Sequence, residues 1–339
     1  MSRVPVEALP VPVLVIGAEQ TVTALSPAMA QILSPSLVGR HYITALRQPN
    51  LLEAVESTMA DGRGRQSLYL GRDGARDITW QVWVAAAGAE TVLTFEDRTA
   101  AEEIGQLRRD FVANVSHELR TPLTALRGFI ETLQGAARDD AGARDRFLGV
   151  MARETARMSQ LVDDLLSLSR VEQSERQRPT TPVDLGALVE TVLEDLWPVI
   201  ETSGLTVQFD NAGGGARVPG DENQLRQVVQ NLVQNALKYG AGGGSVDLRL
   251  DPPAERRKLR GPGLALSITD HGPGIASHHL PRLTERFYRV DTHRSRALGG
   301  TGLGLAIVKH ILNRHRGRLE IESAPGQGAT FRVLLPIVT

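Results

Sequence analysis

Apolar residues in the middle of the chain recur at a helical period. Leu119, Leu123, Leu126, Ile130 and Leu133 are spaced 4, 3, 4, 3, and Met151, Thr155, Met158, Val162, Leu165 and Ser169 repeat that spacing further on. Both runs predict helices with a narrow a/d seam. A turn region near residues 135–142 joins them, and the second helix is predicted over about 143–173. Pro122 lies inside the first helix and should kink it or leave carbonyls unpaired. Such a hairpin has too little core of its own, and pairing with a second copy makes a four-helix bundle, so a homodimer is expected.

Before the hairpin, residues 9–98 alternate short strands and small helices. The period-2 run Ile78, Trp80, Val82, Val84 predicts a strand covered on one side. The charged stretch from Thr99 to Asp110, with Ile104 and Leu107, leads through Phe111 into the seam without a flexible linker. After a polar linker near 174–181, helices and strands alternate to the C-terminus. A helix follows Asp184, a good N-cap residue. Then come a strand at 205–210, a helix from Glu222, strands at 245–250 and 264–270, a helix from Thr301, and final strands at 319–323 and 329–336. This pattern predicts a mixed sheet covered on one face by helices.

Composition narrows the class. The 339 residues suffice for two or three compact units, and 41% hydrophobic with 23% charged residues is ordinary for a soluble protein. A net charge of −1 gives no global attraction to nucleic acid or anionic lipid. The basic run Glu255–Arg260 reads as a solvated hairpin tip. No cysteine is present, which excludes disulfides and thiolate metal sites and fits a reducing cytoplasm. No segment approaches the roughly 18 to 20 apolar residues that span a bilayer. The expected location is cytoplasmic, with peripheral association to the inner membrane through a partner as the alternative.

Candidate chemistry gathers in five segments. His117 lies two residues before the seam, beside Glu118. A solvent-facing imidazole is largely neutral near pH 7 and is a competent nucleophile toward phosphorus, with Glu118 to orient it or take its proton. Alone, a His-Glu pair is an ordinary solvated helix face. Asn231, Asn235 and Lys238 are spaced 4 and 3 and share one face of their helix. Asp270 closes an apolar strand, where a carboxylate can accept the exocyclic amine of adenine while Gly272 and Gly274 leave room for the ring. Gly300, Gly302 and Gly304 let backbone amides approach phosphate at a helix start. The last run lacks the GKS/GKT ending of a P-loop, and no strand immediately precedes it.

FVANVSHELRTPLTALRGFIETL (111–133), NQLRQVVQNLVQNALKYG (223–240), DHGPGI (270–275), ERFYRVD (285–291) and GGTGLGLAIVKHI (299–311) together resemble, in order, the motifs of two-component sensor histidine kinases. The first segment is especially similar to the phosphate-regulon group. The resemblance implies a multidomain α+β protein in three parts. Residues 1–98 would be a PAS-like sensor with an unknown ligand. Residues 99–178 would be a signalling helix and dimeric phosphotransfer hairpin, and residues 179–339 a catalytic ATP-binding α/β sandwich of the Bergerat (GHKL) type. Phosphate-regulon members commonly carry transmembrane helices, from which this sequence departs.

For the sensor part, a photoreactive flavin thiol is excluded by the absence of cysteine, and haem ligation would fall on His41. The resemblance implies that MgATP phosphorylates His117 and that the phosphoryl group passes to an aspartate of a response-regulator receiver domain, possible output of phosphate-starvation signalling. It assigns Mg²⁺ to Asn235 with Asn231 in support, phosphate to Lys238, the adenine or ribose rim to Tyr239, and adenine to Asp270. The loop from Gly300 through Thr301, Gly302 and Leu303 to Gly304 completes the nucleotide site. Residues between His271 and Gly300 read as a lid pinned by Phe287 and Tyr288, with His278, His279 and His293 solvated. Arg289, with Arg286 second, would meet the γ-phosphate or the acid beside His117. Thr121, one turn beyond His117, would orient water in a regulator-phosphatase reaction. The alternatives are a stand-alone ATPase of the same superfamily and a non-catalytic scaffold that binds a regulator.

Overall fold

The computed structural model describes residues 5–73, 76–173, 177–240, 242–291 and 300–337. The chain divides into two compact units, Met1–Ala113 and Asn114–Thr339.

The first unit holds a five-stranded antiparallel sheet of order β2-β1-β5-β4-β3. Its strands are β1 (Val13–Ile16), β2 (Val22–Leu25), β3 (Arg65–Asp73), β4 (Arg76–Ala87) and β5 (Glu90–Asp97). Between β2 and β3 lie the helices α1 (Pro27–Ile32), α2 (Tyr42–Ala45) and α3 (Pro49–Asp61). The buried Ser26 hydroxyl caps α1 by accepting from Met29 N–H and also ties down the start of β1 through Val13 N–H and Val11 O. The alternation in β4 works as its period demands, since Trp80, Val82 and Val84 are buried with Leu14, Leu93 and Phe95 in one core. α3 went unread in the sequence, although Leu51, Ala54, Val55 and Thr58 form its buried stripe and Gly62 closes it in the left-handed region. His41 is exposed, bonding Gln20 and stacking on Tyr42.

α4 runs over Thr99–Gln134 as one helix with Pro122 inside it. Proline forfeits one i→i−4 bond, which a helix of this length absorbs. At its start Asp97 accepts the Thr99 N–H, and the Thr99 hydroxyl accepts the Thr79 N–H.

In the second unit α4 turns into α5 (Ala141–Gln173), whose first turn is capped by Asp140 accepting the Ala143 N–H. Phe129 and Phe147 stack across the hairpin at 5.3 Å. The seam residues Leu123, Ile130 and Val162 are exposed. What α5 buries is a second stripe, Leu161, Asp164, Leu168 and Val171, because its neighbour is α9 (Gly304–Arg314).

The remainder is a mixed five-stranded sheet of order β11-β12-β10-β9-β7. It comprises β7 (Thr206–Asn211), β9 (Ser245–Arg256), β10 (Gly261–Asp270), β11 (Arg318–Ser323) and β12 (Ala329–Pro336). β7 joins β9 in parallel and the other pairs are antiparallel. A small second sheet, β6 (Pro182–Asp184) with β8 (Arg217–Pro219), was not foreseen. α6 (Leu185–Asp195) begins with the Asp184 cap, and α7 (Trp197–Ser203) follows. α8 (Glu222–Tyr239) buries Leu225, Val228, Val229, Leu232, Val233 and Leu237, a helical stripe packed on the sheet, α6 and α9. At the hairpin tip Lys258 pairs with Glu320 and Arg256 with Asp251.

Candidate nucleotide and phospho-acceptor site

α8 positions the first wall of the site. With its apolar stripe fixed on the sheet, its opposite face presents Asn231, Asn235 and Lys238 to a cavity of about 810 Å³. Tyr239 at the end of the helix also lines it. The Asn231 side-chain nitrogen is buried there without a hydrogen-bond partner. Burial holds the Lys238 ammonium below its ordinary value, and the nearby Asp164 carboxylate partly counters this.

The second wall is the end of β10. Asp270 is 5% exposed, and its carboxylate accepts the Gly272 N–H at 3.0 Å and is bonded by the Ala329 backbone. Burial raises its carboxyl above the usual range, and those two backbone bonds oppose the shift. Gly274 lines the cavity with φ +69 and its Cα is packed against the Ala324 carbonyl, where any Cβ would collide. Gly272 is not on the cavity wall. It is glycine because a Cβ would collide with the Tyr239 carbonyl.

The third wall is the loop before α9. Gly300, Thr301, Gly302 and Gly304 line the cavity, whereas Leu303 points into the core and is fully buried. The helix begins at Gly304, not at Thr301 as the sequence suggested, since Gly302 at φ +75 is not helical. No side chain caps α9. Its first turn therefore opens toward the cavity, a favourable environment for anions.

The segment before the glycine-rich loop contributes Tyr288, Arg289, Val290 and Asp291 to the lining. Phe287, at φ +63, donates its N–H to Gly302 O at 2.8 Å and so ties this segment to the loop. A short 3-10 helix spans Ser277–Arg282. His279 is bonded to the Tyr288 hydroxyl at 2.6 Å, so it is more than a solvated lid residue, while Arg282 lies over the same tyrosine ring. Gly299 and His293 lie outside the described residues.

The helical hairpin meets this cavity at several points. His117 is exposed on α4, and the Thr121 hydroxyl donates to the His117 carbonyl at 3.2 Å. Neither lines the cavity. Glu118, between them in reach, is gripped by Arg289 and by Arg157 of α5, each at 3.0 Å. Arg289 also donates to Thr301 O at 2.8 Å, so one guanidinium joins the acid beside His117 to the glycine-rich loop. Asp164 of α5 accepts the Thr301 hydroxyl at 2.7 Å. Glu172 takes Arg286 at 2.5 Å and lies 3.6 Å from His310. Sequence reasoning missed Arg157 and Asp164. The only hint was the second stripe on α5, which overlaps the seam.

A nucleotide-sized cavity at an α/β sandwich, bridged by an arginine to a hairpin with an exposed histidine, defines a phospho-acceptor hairpin coupled to an ATPase domain. Comparison with known families gives the same division. Residues 107–174 match the His Kinase A (phospho-acceptor) domain, and residues 220–339 match the histidine kinase-, DNA gyrase B-, and HSP90-like ATPase family. The chain belongs to the sensor histidine kinases of two-component systems.

Among its relatives, the phosphate regulon sensor protein PhoR of Pseudomonas aeruginosa is 42% identical over 242 residues, 71% of this chain and 53% of that protein. The sensor-like histidine kinase SenX3 of Mycolicibacterium smegmatis is 40% identical over 245 residues, 72% of this chain and 62% of that one. The chain thus spans between half and two thirds of the length of these curated relatives. The crystal structure of histidine kinase ThkA in complex with response regulator protein TrrA matches with a TM-score of 0.53 at 20% identity, covering 100% of this chain and 99% of that one, a likeness of fold. Among the described residues no helix is long and apolar enough to cross a membrane.

Proposed function

We propose that the chain is an ATP-dependent protein-histidine kinase: a nitrogen of His117 attacks the γ-phosphorus of ATP, a P–N bond forms as the P–O bond to the β-phosphate breaks, and ADP leaves. The phosphoryl group then passes to an aspartate of a response-regulator receiver domain. The observation that carries this reading is Arg289, which lines the cavity and at the same time holds Glu118, the residue next to His117. Asp270 accepts the adenine amine, Tyr239 borders the base or ribose, Lys238 meets phosphate, and the Gly300–Gly304 loop with the open start of α9 cradles the phosphate chain. Glu118 positions Arg289 and receives the proton released by His117.

Asn235 would hold Mg²⁺ and Asn231 would support it. Few protein oxygens are needed when phosphates supply the others, and the bound ion would neutralise charge on the transferring group. Thr121, exposed one turn beyond His117, would orient water against a regulator phosphate. The exposed seam of Leu123, Ile130 and Val162 supports a homodimeric four-helix bundle. We read the domains as 1–98, a PAS-like sensor, 99–178, the signalling helix and phosphotransfer hairpin, and 179–339, the ATP-binding domain. Likeness to a phosphate regulon sensor protein supports phosphate signalling as the pathway.

The test is incubation with γ-labelled ATP and Mg²⁺. Wild type is expected to acquire acid-labile label. His117→Gln is expected to acquire none while its nucleotide affinity stays within about threefold, since the histidine is off the cavity wall. Label retained on the variant refutes the assignment.

A further inference from the structure

Asp164 is a carboxylate that the proposed reaction does not use. It lies on α5, is 6% exposed, and borders the cavity through Thr301, whose hydroxyl it accepts at 2.7 Å. Its other oxygen takes the Gln160 amide at 2.8 Å. The Lys238 ammonium is near enough for the two charges to act on each other, and the neighbouring Asp163 opposes it. Burial raises the Asp164 carboxyl, and the bonds from Thr301 and Gln160 oppose the shift. Thr301 and Lys238 are the groups assigned above to phosphate. An anionic oxygen from the helical hairpin therefore occupies the hydroxyl, and lies in the field of the cation, that a polyphosphate needs.

We propose that Asp164 is a positioning residue that competes with the nucleotide's phosphates for Thr301 and Lys238, so that triphosphate binding releases the ATPase domain from α5. This inference rests on the nucleotide assignment given above. Two anions cannot share one ammonium and one hydroxyl in a partly buried wall without strong repulsion. Entry of the phosphate chain expels Asp164 from Thr301. Contacts between hairpin and ATPase domain that do not involve Asp164 include the packing of Leu161, Leu168 and Val171 beside α9, the approach of Glu172 to Arg286 and His310, the Ser167–Gln227 bond and the arginine grip on Glu118. Nucleotide charge is thereby converted into freedom of the domain that must deliver it to His117.

The test uses the full chain and its Asp164→Asn and Gln160→Ala variants, titrated with MgATP and separately with adenosine. Asp164→Asn keeps the shape and an acceptor for Thr301 but removes the competing charge. It should bind MgATP about tenfold more tightly, the scale of one close charge contact. Gln160→Ala, which loosens Asp164 without altering it, should shift affinity in the same direction by less. Adenosine, lacking phosphate, should bind both variants as it binds wild type. Hydrogen exchange at residues 160–168 should rise when MgATP is added to wild type. Unchanged or weaker MgATP binding by Asp164→Asn overturns the proposal, as does equal tightening for adenosine. Failure of wild type to bind MgATP at all overturns the nucleotide assignment itself.

Discussion

Asp270→Asn separates binding from folding at one position. The carboxylate is buried at the end of β10 and accepts the Gly272 N–H. Asparagine keeps that bond through its single oxygen. Its amide nitrogen, however, now faces the adenine amine or the Ala329 N–H, donor against donor. One charge-assisted bond is lost and a donor is left unmatched, a cost of roughly 2–3 kcal/mol or about 30- to 150-fold in affinity.

Stability should move differently. The Asp270 carboxyl is raised above its ordinary value by burial, so its ionised form opposes folding. A group of this kind favours the fold while protonated, and that contribution is lost as pH rises through its folded value. Near pH 7 removing the charge should leave the melting temperature within about 2 °C of wild type, since the relieved desolvation offsets the lost Ala329 bond. Calorimetric titration with ADP, paired with thermal melts on the same samples, reads both quantities. ADP affinity within threefold of wild type at an unchanged melting temperature would refute the adenine assignment.

Three further outcomes follow from the geometry. His315 is buried with Nδ1 on Ile311 O and Nε2 accepting the Asp221 N–H, and burial lowers its value below 6.5, so the neutral ring stabilises the fold above about pH 6.5 and that support is lost as pH falls. The drop in melting temperature from about pH 7.5 to about pH 5.5 should shrink in His315→Gln, and an equal drop would sink the argument. Thr121→Ala should keep autophosphorylation but lose most regulator dephosphorylation, measured as the half-life of purified regulator phosphate with ADP present; half-lives equally shortened by both proteins count against Thr121. Gly302→Ala sets a side chain at φ +75 against the Phe287 backbone and should destabilise the domain by about 1–2 kcal/mol while weakening nucleotide binding, checked by denaturant melts and titration.

Local periodicity made much of the site readable. The 4 and 3 spacing of Asn231, Asn235 and Lys238 requires a common helix face whatever the helix packs on, and all three reach the cavity. Asp270 was singled out by the DHGPGI segment and the resemblance it carries, and it lies on the cavity wall. The start of α9 was misplaced because Thr301 and Leu303 read as ordinary helix formers, whereas Gly302 is committed to the left-handed region by its approach to Phe287. Asp164 and Arg157 were hidden for a different reason. Both belong to a helix whose seam pattern was already accounted for, and their roles depend on partners more than 35 positions away in sequence, Glu118 and Thr301. Tertiary pairing at that distance leaves no local trace beyond the second stripe on α5.

The parallel pairing of β7 with β9 has a consequence for assembly. An antiparallel edge strand could form by a tight hairpin, but a parallel one must wait for a crossover to return the chain. Here the crossover includes β8 and α8, the helix that carries Asn231, Asn235 and Lys238. The sheet edge and the polar wall of the cavity are therefore completed in one non-local, slow event and not as separable modules. A chain that has not closed this crossover has no nucleotide wall, so nucleotide binds the folded domain alone and raises its melting temperature in proportion to the logarithm of its concentration over Kd.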